Sequence, residues 1–161
     1  MTSWNLDIID TKHTTSESRA GIRKHVNDQP EEKQLVIIDC LQLIEPTTNL
    51  KDRRDLEIGE IKRGLKLLAL ELIIAIVLLS QLSRGVVARQ DKRAMMSDLR
   101  ESGNIEQDAD VISFLYRDDY YDKRSKLKKE MEVIIAKQRN GPTGVVRCEF
   151  MREFGVVREG H

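Results

Sequence analysis

The chain has 161 residues, the length of one ordinary domain. Its 27 Lys and Arg balance 27 Asp and Glu, so the formal net charge is zero and contact with nucleic acid must come from local patches, not a whole-chain field. With 40% hydrophobic and 34% charged residues, it is too apolar to be disordered and long enough to bury roughly two-thirds of its unfolded surface.

Taken in chain order, Leu6–Asp10 is a short, partly alternating run that reads as a strand. Thr14-Thr15-Ser16-Glu17 has capping-box spacing and predicts a helix to about Val26, closed by Asn27-Asp28-Gln29-Pro30. Leu35-Val36-Ile37-Ile38 is a continuous branched apolar run that ends in Asp39, the pattern of a strand covered on both faces. Pro46–Arg54 reads as a loop. From Asp55 onward, Ile58, Ile61, Leu65, Leu68 and Leu72 form one stripe of an amphipathic helix. Ile73–Leu79 is a second β-branched run, ending at Ser80-Gln81. Ser83–Asp110 is polar and weakly periodic. Val111–Tyr116, Met131–Lys137 and Val145–Phe150 read as three further strands, the last following a Gly141-Pro142-Thr143-Gly144 turn.

Strand, helix, strand, helix, strand predicts an open α/β sheet, mostly parallel, flanked by helices and joined by right-handed crossovers. The expected division is an entry strand and helix over 1–34, a core over 35–154 and a tail over 155–161. Cys40 and Cys148 cannot form a disulfide framework and lack the spacing of a zinc site, and His13, His25 and His161 are scattered. The most apolar stretch, Leu67–Leu79, contains Glu71 and is too short for a membrane span; Met1–Asp10 shows no secretory pattern. A cytoplasmic location and no membrane partner are the expectation.

Ligands of open α/β sheets bind outside the carboxyl ends of the strands, which is where Asp39 and Ser80-Gln81 fall. Asp39 reads either as a carboxylate organising Mg²⁺ through water, or as a cap for the next turn. Gln81 reads as a phosphate or water sensor, or as a hydrogen-bonded loop amide. Lys137 and Arg139 stand two apart where a strand exits, so alternation points them to one side. They suit an anionic group such as a phosphate, or are simply two solvated side chains. Lys123–Lys129 carries five cations in seven residues and reads as a solvated loop, with phosphate contact as the sharper alternative. Met95 and Met96 read as packing. A phosphate-cradling G-x-x-x-x-G-K-[ST] motif does not occur: Gly59 and Gly64 have part of its spacing but lie within the amphipathic helix, whose interior has no N–H groups to offer.

Five segments in order carry a family resemblance. Leu35-Val-Ile-Ile-Asp-Cys-Leu-Gln-Leu-Ile44, Leu79-Ser-Gln-Leu-Ser-Arg84, Asp91-Lys-Arg93, Ser97-Asp-Leu-Arg-Glu-Ser-Gly-Asn-Ile-Glu-Gln-Asp-Ala-Asp110 and Ile134-Ile-Ala-Lys-Gln-Arg-Asn-Gly-Pro-Thr-Gly144 resemble the carboxy-terminal motor domain of DnaB-type replicative DNA helicases. The resemblance covers about Leu6 to Phe154. It implies a RecA-like ATPase fold that uses ATP and Mg²⁺, assembles as a hexameric ring around single-stranded DNA, and meets a primase and a helicase loader. It further implies Asp39 as the Walker B carboxylate for Mg²⁺ and Gln81 as the coupler between the γ-phosphate and the DNA-side loops. Lys137 and Arg139 would reach a neighbour's ATP, with Arg139 as arginine finger, and Arg100, Glu101 and Gly103 would sit in the DNA-holding loop. Charge alone does not point to that loop, because acids outnumber bases from Ser97 to Asp110.

Departures are Cys40 where the family has Tyr, Ala94 where it has Pro, and Leu-Ile-Ile-Ala over Leu72–Ala75 where it has an Asn-x-Pro junction. The family's P-loop, catalytic glutamate and amino-terminal collar are expected upstream of the matched segments. The expectation is therefore an ATP-dependent replicative helicase represented by its carboxy-terminal motor part, inactive alone, with weak and steeply salt-dependent DNA binding. The alternative is a non-catalytic, truncated or prophage-derived module that binds or modulates an intact helicase ring; a recombinase-type relative is a further reading that the Asp98–Asp110 stretch disfavours.

Overall fold

The computed structural model describes residues 6–10, 14–45, 54–102 and 105–160. The chain folds as two compact units, Met1–Gln81 and Leu82–His161.

The first unit begins with helix α1, Thr15–Asp28, whose capping box forms as the spacing predicts. The Glu17 N–H donates to Thr14 Oγ1 at 3.3 Å, and the Thr14 N–H donates back to Glu17 Oε2 at 2.8 Å. Strand β1 is Leu35–Ile38, helix α2 is Arg54–Leu72 and strand β2 is Ala75–Leu78. The predicted stripe of α2 is its buried side: Ile58, Ile61, Leu65 and Leu68 are all closed to solvent, as are Leu41 and Ile44, while Leu72, the last member of the stripe, is half-buried. Gly59 and Gly64 lie inside α2, as expected of a decoy. Arg23 of α1 grips Glu71 of α2 through two 2.8 Å hydrogen bonds. Strands β1 and β2 pair in parallel, from Leu35 opposite Ala75 to Ile38 opposite Leu78, with α2 as the crossover that parallel pairing needs.

Two expectations fail in this unit. Leu6–Asp10 forms no strand: Leu6, Ile8 and Ile9 are exposed, with no ladder partner among the described residues, and Asp7 instead lies 3.2 Å from His25. The apolar runs of β1 and β2 are also not covered on both faces, since exposure alternates along each strand and Leu35, Ile37 and Val77 are open. The predicted loop over 46–53 lies outside the described residues. At the junction entering β2, Ile73 takes φ +55° and the Ile74 N–H donates to the Ala69 carbonyl at 3.1 Å, a left-handed helix stop made with a β-branched residue instead of glycine.

The second unit is a four-stranded antiparallel sheet in the order β3 (Val111–Tyr116), β4 (Glu130–Gln138), β5 (Gly144–Met151), β6 (Val156–Glu159). The sheets are thus open and mixed; among the described strands only β1 and β2 pair in parallel, and one isolated parallel bridge joins Thr14 to Glu45. Short turns join β4 to β5 and β5 to β6, and such turns allow only antiparallel pairing. Strand β6 replaces the expected tail: Gly155, at φ +61°, lets the chain reverse so that Val156 and Val157 pair with Met151 and Phe150. Ile112 and Phe114, on one face of β3, pack with Ala94 and Leu99 into the buried core, and Met96 adds to it. Between the units' boundary and β3 lie the short helices α3 (Gly85–Ala88) and α4 (Ile105–Asp108) and a 3-10 turn, Met96–Ser102. No helix among the described residues is long and apolar enough to cross a membrane.

Candidate functional site

The parallel pairing delivers the ends of β1 and β2 to one edge of the first unit. Beyond the last pair, Ile38 with Leu78, the Leu79 N–H donates to the Ile38 carbonyl and the Leu41 N–H to the Leu79 carbonyl, both at 2.9 Å. Asp39 and Gln81 both emerge there and are exposed. A residue that sequence reading overlooked holds this edge together. Gln42, in the 3-10 turn after Asp39, donates through Nε2 to Ser80 Oγ at 3.2 Å and accepts from the Gln81 N–H at 3.4 Å. It stands four residues past Ile38, the end of the apolar run, with no pattern to mark it.

Neither the Asp39 carboxylate nor the Gln81 amide side chain is engaged by another described residue. Among the described residues, no group of three or more His, Cys, Asp or Glu side chains is placed to enclose a metal ion. A lone exposed carboxylate still suits Mg²⁺, which keeps several waters and commonly takes one or two protein carboxylates together with substrate phosphates.

Lys137 and Arg139 lie in the second unit. Both reach the segment that leads into β3: Lys137 Nζ donates to the Ala109 carbonyl at 2.8 Å, and Arg139 Nη1 lies 3.2 Å from Asp110 Oδ1. The Arg139 N–H also donates to the Asp110 carbonyl at 2.9 Å. The Arg139 side chain is 61% exposed, so its pairing with Asp110 is a surface contact that leaves the guanidinium open to other anions. The ladder with β3 slips between Ile112 and Ser113 and leaves Ala136 as an extra residue just before Lys137, outside the Lys137–Arg139 pair itself.

Of the predicted DNA-loop residues, Arg100 and Glu101 belong to the 3-10 turn, with side chains outside the described part, and Gly103 lies outside the described residues altogether. The segment leading to them is pinned by two arginine–carboxylate pairs. Arg89 binds Asp98 through Nη1 and Nη2 at 2.9 and 2.7 Å, and Asp98 also accepts from the Met95 N–H at 2.7 Å. Arg93 binds Glu132 of β4 at 2.6 and 2.9 Å, and its guanidinium lies 4.4 Å from the centre of the Tyr116 ring. Hydrogen bonds from Arg89 hold the Asp98 carboxyl below its ordinary value, and those from Arg93 do the same for Glu132. Burial, helped by donation to Asp118, pushes the Tyr116 phenol up to about 12. Sequence reading placed none of these pairs.

Comparison with known proteins gives these residues a context. Residues 1–159 match the family described as DnaB-like helicase C terminal domain. Replicative DNA helicase DnaC of Bacillus subtilis is 58% identical over 120 residues, 74% of this chain and 26% of that protein. Replicative DNA helicase DnaB of Pasteurella multocida is 46% identical over 150 residues, 93% of this chain and 32% of that protein. The chain thus spans about a quarter to a third of the length of these curated relatives. Among solved structures, a DnaB-like replicative helicase studied for its interactions with primase is 47% identical, with a TM-score of 0.92 over 96% of this chain and 38% of that one. A solved ATPase domain is 48% identical, with a TM-score of 0.88 over 92% of this chain and 52% of that one. These neighbours make the fold RecA-like, and the chain belongs to the DnaB-like helicase C-terminal domain family.

Proposed function

We propose that this chain supplies the carboxy-terminal part of the ATP-driven motor of a replicative DNA helicase. One observation carries the reading: parallel strands bring Asp39 and Gln81 to a common edge and leave both side chains without a partner among the described residues. An ion-binding carboxylate and a phosphate-sensing amide must stay uncommitted in this way, whereas a structural cap is engaged by its own chain.

In this reading Asp39 holds Mg²⁺ through water, and the ion, when bound, offsets the charge on the terminal phosphates. Gln81 hydrogen-bonds the terminal phosphate, and the Gln42–Ser80 contact keeps it at the edge. Arg139, with its guanidinium largely exposed, acts on the ATP of a neighbouring copy in a hexameric ring, with Lys137 beside it. Arg100, Glu101 and Gly103 hold single-stranded DNA. Primase and helicase loader are the partners expected of the full assembly, in the cytoplasm. The domain division proposed from sequence, a core over 35–154 that carries every one of these groups, belongs to the same reading.

No phosphate-cradling G-x-x-x-x-G-K-[ST] motif lies in the 161 residues, so the isolated chain is expected to hydrolyse no ATP. Its finger is tested by adding it to the intact ring of a relative whose own finger arginine has been removed. Such fingers are worth about 10³ to 10⁵ in rate, so partial restoration of hydrolysis by the native chain, and none by Arg139→Ala, is the expected result. Inhibition of an unmodified ring by the added chain would favour the alternative, a non-catalytic modulator. Turnover by the isolated chain that disappears in Asp39→Asn would overturn the proposed division of labour.

A further inference from the structure

The densest run of cations in the second unit's sequence is not in the loop that resembles a DNA-binding element. It lies in the connection between β3 and β4. Lys123–Lys129 holds five cations and no acid, whereas Ser97–Asp110 holds Arg100 as its only base among five acids. We infer that the β3–β4 connection is a separate contact surface for single-stranded nucleic acid, its cations meeting phosphates and Tyr120 stacking on an unpaired base.

The connection is built, not slack. It opens with the one-turn helix α5, Asp118–Tyr121, and closes with a turn in which the Ser125 N–H donates to the Asp122 carbonyl at 3.0 Å. Ser125 is buried and serves as the anchor: its hydroxyl accepts from the Leu127 N–H at 3.0 Å and bonds the Asp118 carboxylate. With Ser125 turned inward, Lys123, Arg124, Lys126, Lys128 and Lys129 are all exposed, and none has an ion pair among the described residues. The far end is tied down by the Phe150 N–H, which donates to the Lys129 carbonyl at 2.6 Å. Lys129 itself sits at φ +72°, in the left-handed region where glycine is the easy choice and a long side chain is uncommon. A cation kept at such a position points to a use for the charge.

The neighbouring acids are largely occupied. Asp119 is held by Arg117 at 3.0 and 2.9 Å, and Asp118 accepts from Tyr116 and Ser125. Glu130 lies 3.5 Å from Arg147, which leaves Asp122 and Glu149, the ladder partner of Glu130, as exposed acids beside the patch. Tyr120 stands 74% exposed, braced edge-on by Tyr121 at 5.1 Å, and Lys92 lies 5.3 Å from the Tyr121 ring centre. Cations along a fixed turn beside an open aromatic face are the two parts that sequence-tolerant single-strand binding uses.

The test is binding of the full chain to a fluorescent oligothymidylate over a salt series. Single strands contribute a slope of about −0.7 per neutralised phosphate, so Lys123→Gln/Lys126→Gln/Lys128→Gln/Lys129→Gln should flatten log K against log salt by roughly 2 to 3. Lys24→Gln/Lys33→Gln, which removes two exposed lysines of the first unit, should leave it unchanged. Tyr120→Ala should weaken binding about fivefold or more at constant slope, as loss of one stacked base does. In an Arg100→Ala chain the lysine-dependent part of the slope should persist, which separates this surface from the DNA loop of the proposed motor. Equal slopes for the quadruple variant and the native chain would overturn the assignment. So would binding of a duplex or of polyglutamate as tight as that of the single strand.

Discussion

Asp39 in the first unit and the pair Asp98 and Glu132 in the second are carboxylates in opposite settings. At the edge of β1 and β2, Asp39 is exposed and no described residue engages it. In the second unit, the Asp98 and Glu132 side chains are each only 7% exposed and are gripped by bidentate arginines. Buried and paired charge fixes the path of the chain, because breaking such a pair strands the partner. Exposed, unpartnered charge at a strand's carboxyl end adds little to folding and remains available to a ligand. The contrast separates residues that build this protein from the one proposed to act on the nucleotide's metal.

That contrast breaks first at Asp98. Asp98→Ala removes both Arg89 contacts and the acceptor for the Met95 N–H, and should destabilise the second unit by about 2–4 kcal/mol in denaturant unfolding. A loss under about 0.5 kcal/mol, the range of an ordinary surface change, would mean that the pair is ornamental.

Acid should expose the same asymmetry. Asp98 and Glu132 are held below their ordinary values of 3.8 and 4.5, so the folded chain binds fewer protons there than the unfolded one. The stability they contribute is complete above those values and lost as pH falls through the lowered ones. The pH dependence of unfolding should therefore steepen below about 4.5 and be blunted in the Asp98→Asn/Glu132→Gln chain.

Ile73 sharpens the comparison at the other end of β2. It is 92% exposed and occupies the left-handed stop of α2, so Ile73→Gly should relieve strain and stabilise the chain by about 1 kcal/mol, read as a raised unfolding midpoint. The smallest effect belongs to Asp39→Asn, which should shift that midpoint by less than about 0.5 kcal/mol.

Local rules carried much of the fold. The capping box at Thr14 and the apolar stripe from Ile58 to Leu68 appear as predicted, and the β-branched runs form strands β1 and β2, though with one face open and with Ile73 outside β2. Leu6–Asp10 shows the limit of such reading: alternation alone makes no strand without a partner to ladder against. Strand β6 escaped notice because it is four residues long and depends on the Gly155 reversal, and the slip at Ala136 depends on pairing across strands. The pairs Arg89–Asp98 and Arg93–Glu132 join residues 9 and 39 apart, distances at which charge patterning carries no register.

Within the candidate site, the common edge of Asp39 and Gln81 was legible once two apolar runs flanked a helix. The exposed guanidinium of Arg139 was foreseeable only as an anion site, and its assignment to a neighbour's ATP rests on the family. Gln42, which closes the edge, was invisible because a glutamine in a turn has no pattern to betray it.

The most direct test places residues 6–160 of this chain into the motor of a full-length relative and measures ATP hydrolysis by the assembled ring with Asp39 and with Asp39→Asn. Loss of about a hundredfold or more in rate, with ring assembly and unfolding midpoint unchanged, is the expected result. Hydrolysis at the parent rate in the Asp39→Asn ring would contradict the claim that this carboxylate is kept uncommitted for the nucleotide's metal.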